Sequence, residues 1–120
     1  MVKMETQTQL PVLALVRDLM FSSKITATAR AVGAEVKVVR DPGQLAGQTG
    51  RILLVDLNLP GAIEAAAQWR QINSDVNVVG FVSHVDTETI QQARDAGLTQ
   101  IMARSGFVEA LPELVRPRNG

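Results

Sequence analysis

An α/β domain is what this sequence predicts: a five-stranded parallel sheet, doubly wound, with helices on both faces. Three observations carry the prediction. Ile52, Leu53, Leu54 and Val55 run without a polar break into Asp56, and Val12 to Val16 is a second unbroken apolar run. Short runs of this kind mark strands covered on both faces, as in the middle of a parallel sheet. Strand-like runs then alternate with segments of helical spacing, which specifies parallel strands joined by right-handed crossovers. Lastly, Asn58, Pro60 and Gly61 punctuate a loop directly after the central run.

In chain order, Val12–Val16 is the first strand, with Arg17 and Asp18 at its carboxyl end. Phe21, Ile25, Ala29 and Val32 recur at helical spacing, and Gly33 closes that helix as a C-cap. Asp18 or Ser22 caps its start, and Met20 with Phe21 is expected to bury against the sheet. Glu35–Val39 alternates polar and apolar residues, as a strand near an edge does; Asp41, Pro42 and Gly43 then turn, and Gln44–Gly47 can form at most a short helix. After the central strand, Ala62, Ala65, Trp69 and Ile72 mark the inner face of a helix, and Glu64, Gln68 and Gln71 its wet face. Val76–Val82 is the fourth strand, and Ser83 with Asp86 resembles a capping box for a helix over about 86–96 with Ile90 and Ala93 inward. Leu98–Ala103 is the fifth strand. A last helical segment from Ser105 carries Phe107, Leu111 and Leu114, and Pro112 predicts that it is short, kinked or late in starting.

The strand order that fits is the flavodoxin-like 2-1-3-4-5, which sets the two most apolar runs side by side at the centre. Open α/β sheets bind ligands beyond the carboxyl ends of their strands, at the topological switch point. Here that point falls where Arg17, Asp18 and Asp56 emerge.

Composition narrows the function classes. The 120 residues fit one domain, 1–120, with 1–9 a flexible lead-in and 117–120 a tail. Lys+Arg and Asp+Glu number 12 each, so the net charge is zero and the basic excess of a nucleic-acid surface is missing. Without cysteine there is no disulfide, thiolate metal site or thiol nucleophile. No apolar run approaches the roughly 20 residues of a membrane span, and the first residues lack the apolar core of a signal peptide. A cytoplasmic protein that binds neither membrane nor nucleic acid is the expectation.

Several chemistries fail at the crevice. RDLMFSS after the first strand is no glycine-rich phosphate loop. His84 is the single histidine and reads as a surface residue at a strand end; a histidine-pair zinc site is excluded. Ser83 is its neighbour, and adjacent residues on an extended chain point to opposite faces, so the two are poorly placed for a triad. Arg17, Ser22, Ser23 and Lys24 cluster near a helix N-terminus, where anions are favoured, though capping and packing account for that stretch as well.

VDLNLPG, Val55 to Gly61, resembles the phosphoacceptor segment of two-component response-regulator receiver domains. In that family an aspartate ends the third strand and a Pro-Gly follows, as Asp56, Pro60 and Gly61 do. The resemblance runs from about Val12 to Val115 and includes the helix ending in DAG, Asp95 to Gly97. It implies Asp56 as the phosphoacceptor position. It also implies an acidic pair at the end of the first strand that holds a divalent metal, and there this chain has Val16 and Arg17, or Arg17 and Asp18. A unit charge about 5 Å away at an effective dielectric of about 20 is worth on the order of 3 kcal/mol, and about twice that against a dication. The family's Thr or Ser falls on Val82, with Ser83 one residue later; its lysine falls on Arg104; its switch aromatic falls on Ile101.

The expectation is therefore a receiver-like signalling domain with a degenerate metal and phosphorylation site: no cofactor, no metal and no enzymatic activity. Asp56 would join Arg17, Asp18, Ser83 and Arg104 in a crevice cluster, its carboxylate paired with Arg17 or Arg104. It would act through protein partners, or as a homodimer, over the surface at about 86–116 that the family commonly uses. The alternatives are a functional phosphoryl acceptor at Asp56, and an anion or small-molecule sensor around Arg17, Asp56 and Arg104.

Overall fold

Five strands form one sheet: β1 (Val12–Leu15), β2 (Val36–Val39), β3 (Ile52–Asp56), β4 (Asn77–Val82) and β5 (Gln100–Ala103). The computed structural model describes residues 10–84 and 86–117; the expected lead-in 1–9, and residues 118–120 of the expected tail 117–120, lie outside them. The order is β2-β1-β3-β4-β5 with every neighbouring pair parallel, as the alternation predicts. Four helices flank it: α1 (Leu19–Ala31), α2 (Ala62–Ile72), α3 (Thr87–Asp95) and α4 (Arg104–Val115).

The pleat sorts the central strands onto two cores. Leu13, Leu15, Leu53 and Val55 meet Ala62, Ala66 and Trp69 of α2 and Ala93 of α3. Val12, Ala14, Val16, Ile52 and Leu54 meet Phe21 and Ile25 of α1 and Phe107 and Leu111 of α4. Because both faces of β1 and β3 are covered, every residue from Val12 to Val16 and from Ile52 to Val55 is buried. At the start of β3, Arg51 reaches across to the end of α4. Its guanidinium donates to the Arg116 carbonyl at 3.2 Å and to that of Val115, a cation where the helix leaves carbonyls unpaired.

Local details depart from the sequence expectation in four places. Asp18 caps α1, accepting from the N–H groups of Met20 at 2.9 Å and Phe21 at 3.2 Å. That phase buries Phe21 and leaves Met20, about 100° further round the helix, 83% exposed. On α2 the buried face is Ala62, Ala66 and Trp69, while Ile72, the last helical residue, is 80% exposed. The β2–β3 connection keeps the expected turn, as a 3-10 turn over Pro42–Gln44 capped by Asp41, with no α-helix over Gln44–Gly47. Asp86, and not Ser83, caps α3, accepting from the Glu88 N–H and the Thr89 hydroxyl. Finally, α4 runs for 12 residues through Pro112. Pro112 is exposed and lies in the last turn, so it removes one ladder bond in that turn alone and the buried Phe107, Leu111 and Val115 hold the rest.

Candidate functional site

Asp56 ends β3 at the carboxyl edge of the sheet and is half-buried. The loop after it is pinned at several points. Leu57 donates its N–H to the Phe81 carbonyl at 2.9 Å, and its side chain lies over Gly80 of β4. A Cβ on Gly80 would stand 2.7–2.9 Å from the Leu57 side chain, so only glycine admits this approach. Leu59 N–H closes back on the Asp56 carbonyl at 3.2 Å, and Gly61, at φ 84°, turns the chain into α2.

Within that loop the Asp56 Oδ1 accepts the Asn58 N–H at 3.0 Å, and the Asn58 Oδ1 accepts the Ser83 N–H at 2.6 Å. Asn58 thus clasps the carboxyl ends of β3 and β4 together. Burial pushes the Asp56 carboxyl above its ordinary pKa of 3.8. The Asn58 N–H opposes this, as does the charge of Arg104, while the nearby Asp18 adds to it and His84 pulls weakly the other way.

The other expected site residues lie around Asp56 unevenly. Asp18 is near enough to act on it electrostatically, with its own Oδ1 occupied by the α1 cap. Arg104 opens α4 with its guanidinium 4.0 Å above the Phe21 ring, so it acts on Asp56 at a distance, not as an ion pair. That ring belongs to a trio, 5.1 Å from Phe81, which stacks at 4.4 Å on Phe107. Ser83 contributes its backbone N–H, and His84 is exposed. The structure does not bring Arg17 to Asp56: Arg17 is exposed and its Nε–H points to the Arg40 carbonyl at 3.4 Å, beyond β2. The pleat is the cause. Leu15 pairs with Val55, so Asp56 is level with Val16, and Arg17 is one residue further on and turned to the other face. Nor do the polar residues that open α1 converge on an anion site, since the buried Ser22 hydroxyl donates back to the Leu19 carbonyl at 3.0 Å.

Asn58 and the phenylalanine trio are what sequence reasoning missed. Asn58 reads as loop punctuation, and only the pairing of strands 25 residues apart reveals its second bond. The trio draws one ring each from α1, β4 and α4.

No family model and no curated protein matches this sequence. Solved structures do match. A CheY-like response-regulator receiver domain protein from Methanospirillum hungatei superposes with a TM-score of 0.73 at 14% identity, over 88% of this chain and 93% of its own. This is the receiver fold. Chemotaxis protein CheY4 of Vibrio cholerae gives 0.73 at 18% identity, over 89% of this chain and 96% of its own. The phosphorylated cyanobacterial phytochrome response regulator RcpA gives 0.72 at 18% identity, over 90% and 89%.

The resemblance implies a divalent metal beside Asp56, and the side chains around it offer few ligands for one. Among the described residues no three of His, Cys, Asp and Glu converge as ligands. Magnesium wants a near-octahedral oxygen shell with carboxylate charge; Asp56 has Asp18 as its acidic neighbour, whose Oδ1 serves the α1 cap. Val82, where the resemblance places the family's hydroxyl, is buried in the core under α2 and α3, and Ile101, where it places the switch aromatic, packs against that same core.

Proposed function

We propose that this chain is a receiver-like signalling domain of the two-component type whose metal and phosphorylation site is degenerate, and that it works through contact with protein partners. The receiver fold supports the signalling role. The observation that carries the degeneracy is the setting of Asp56: among the described residues, a single acidic neighbour, no hydroxyl from β4, and Arg104 drawn onto Phe21. Phosphoryl transfer depends on metal and positioned charge to neutralise the developing oxyanions, and these residues supply little of either.

The partner surface assigned under this reading is the segment 86–116, formed by α3, β5 and α4, through which a homodimer would also assemble. A phosphoryl acceptor at Asp56 is the second reading, favoured by the half-buried carboxylate at the crevice mouth with the Arg104 charge nearby.

The test is incubation with acetyl phosphate and magnesium, followed by intact mass, with a fluoroberyllate titration as the control for a labile acyl phosphate. Unchanged mass and no fluoroberyllate binding are expected. A phosphate mapped to Asp56 would establish the second reading in its place.

A further inference from the structure

The β2–β3 connection, residues 40–51, is a crossover with one 3-10 turn and no α-helix. It leaves a groove of about 470 Å³ between that loop and α2, on the side of the sheet away from the Asp56 carboxylate. A groove of this size lies in the range of small-molecule sites, roughly 300–1,000 Å³.

Its lining is selective. One residue in five of this chain is charged, 20%, yet none of the lining residues is. Trp69 forms a wall and is held still, its indole N–H committed to the Gln48 carbonyl at 2.9 Å. Ala65 offers little more than a methyl group, which keeps the groove open. Gln68 and Thr49 also line it, and neither side chain has a hydrogen-bond partner among the described residues. An apolar body can therefore lie against Trp69 and Ala65 while an amide or hydroxyl meets Gln68 or Thr49. An anion would lose hydration with no counter-charge to replace it, and would meet the Asp41 carboxylate beside Gly43 at the rim.

A partner helix is a poorer fit. Lys37, two residues before the buried Val39 and so on the same face of β2, is exposed. The sheet edge beyond the groove thus carries a charge that an apolar helix face would have to desolvate. Gly61, which opens α2 and closes the loop from Asp56 through Leu59, stands in the wall.

We propose that this groove binds an uncharged small molecule with a flat apolar body and an amide or hydroxyl edge. The site is separate from the crevice and stands whether or not Asp56 accepts phosphate. Trp69 is the single tryptophan, so its fluorescence reports on the groove directly. The full chain would be titrated with acetanilide, a flat neutral amide, and with benzoate, an anion of similar size, following Trp69 emission and backbone amide shifts. Acetanilide should give a saturable response with shifts at Thr49, Gly61 and Gln68, and benzoate should bind about ten-fold more weakly for want of a counter-charge. Ala65→Leu, which fills the groove, should abolish the response. Gln68→Met, at an exposed position where the fold tolerates change, should weaken it several-fold. No saturable response at millimolar acetanilide, equal binding of benzoate, or undiminished binding by both variants would overturn the assignment.

Discussion

Arg104 offers the sharpest test of how the crevice is wired. Its guanidinium lies 4.0 Å above the Phe21 ring and is half-buried. A cation over an aromatic face contributes about 0.5–1 kcal/mol when exposed and about 2 kcal/mol when desolvated, so about 1 kcal/mol is the expectation here. Phe21→Leu also disturbs the contacts with Phe81 at 5.1 Å and Phe107 at 6.0 Å, and each aromatic pair is worth about 0.5–1.5 kcal/mol. A double-mutant cycle of Arg104→Gln with Phe21→Leu removes that part, since the ring–ring terms appear on both sides of it. Urea unfolding of wild type, both single variants and the double variant should give a coupling energy of about 0.5–1 kcal/mol. Arg104→Lys should keep only part of it, because a compact ammonium stacks less well than a planar guanidinium. Carboxyl carbon NMR supplies a second readout: without Arg104 the Asp56 pKa should rise further above its ordinary value, since one of the influences holding it down is gone. Zero coupling together with an unmoved Asp56 pKa would show that Arg104 lies elsewhere, and the account of the site would fail with it.

Asp56→Asn should stabilise the protein at pH 7. Burial raises the Asp56 pKa above 3.8, so the folded state holds the proton more tightly than the unfolded chain. That contribution is fully present below the unfolded value and lost as pH rises through the folded one, whereas Asn loses nothing. Urea midpoints at acid and neutral pH would show the gap opening upward, and an Asn variant less stable at pH 7 would contradict it. Arg17→Ala combined with Asp56→Asn should show no coupling, and a value above about 0.5 kcal/mol would mean that the two side chains meet. Asn58→Ala should cost about 1 kcal/mol by stripping the acceptor from the Ser83 N–H. Faster hydrogen exchange at Ser83 would locate the loss; unchanged exchange there would dissolve the clasp.

The sheet was legible because Val12–Val16 and Ile52–Val55 are apolar without interruption, which only doubly covered strands require, and because the helical segments fall between strands. Asp56 was legible for the same reason: it is the first carboxylate after such a run. The direction of Arg17 was not. It depends on whether Asp56 pairs with Val16 or with Arg17, and a register shift of one residue inverts every side chain on the strand. The pleat rule that separates Ser83 from His84 would have separated Arg17 from Asp56, had the register been known. Met20 and Ile72 were misplaced at the two ends of helices, where the cap sets the phase and spacing alone leaves it open. Pro112 misled in the opposite sense, since a helix pinned by three buried side chains tolerates a lost bond in its final turn.

The helix-free crossover has a consequence for how the protein comes apart. On that side β2 bonds to β1 alone, and in the loop between Gly43 and Gly50 the wholly buried aliphatic side chain is Leu45, packed beside Leu13, Leu15 and Val39. Leu45 works as a rivet. Freeing it lets residues 40–51 lift and β2 peel away while β3, β4 and β5 stay zipped, a partial opening of far lower cost than global unfolding. The amides of β2 should therefore exchange ahead of those of β3 in native-state hydrogen exchange, and proteases should nick the loop first. The exposed Lys37 on that strand then has a protective part to play, since a charge on a loosened edge discourages pairing with a second chain.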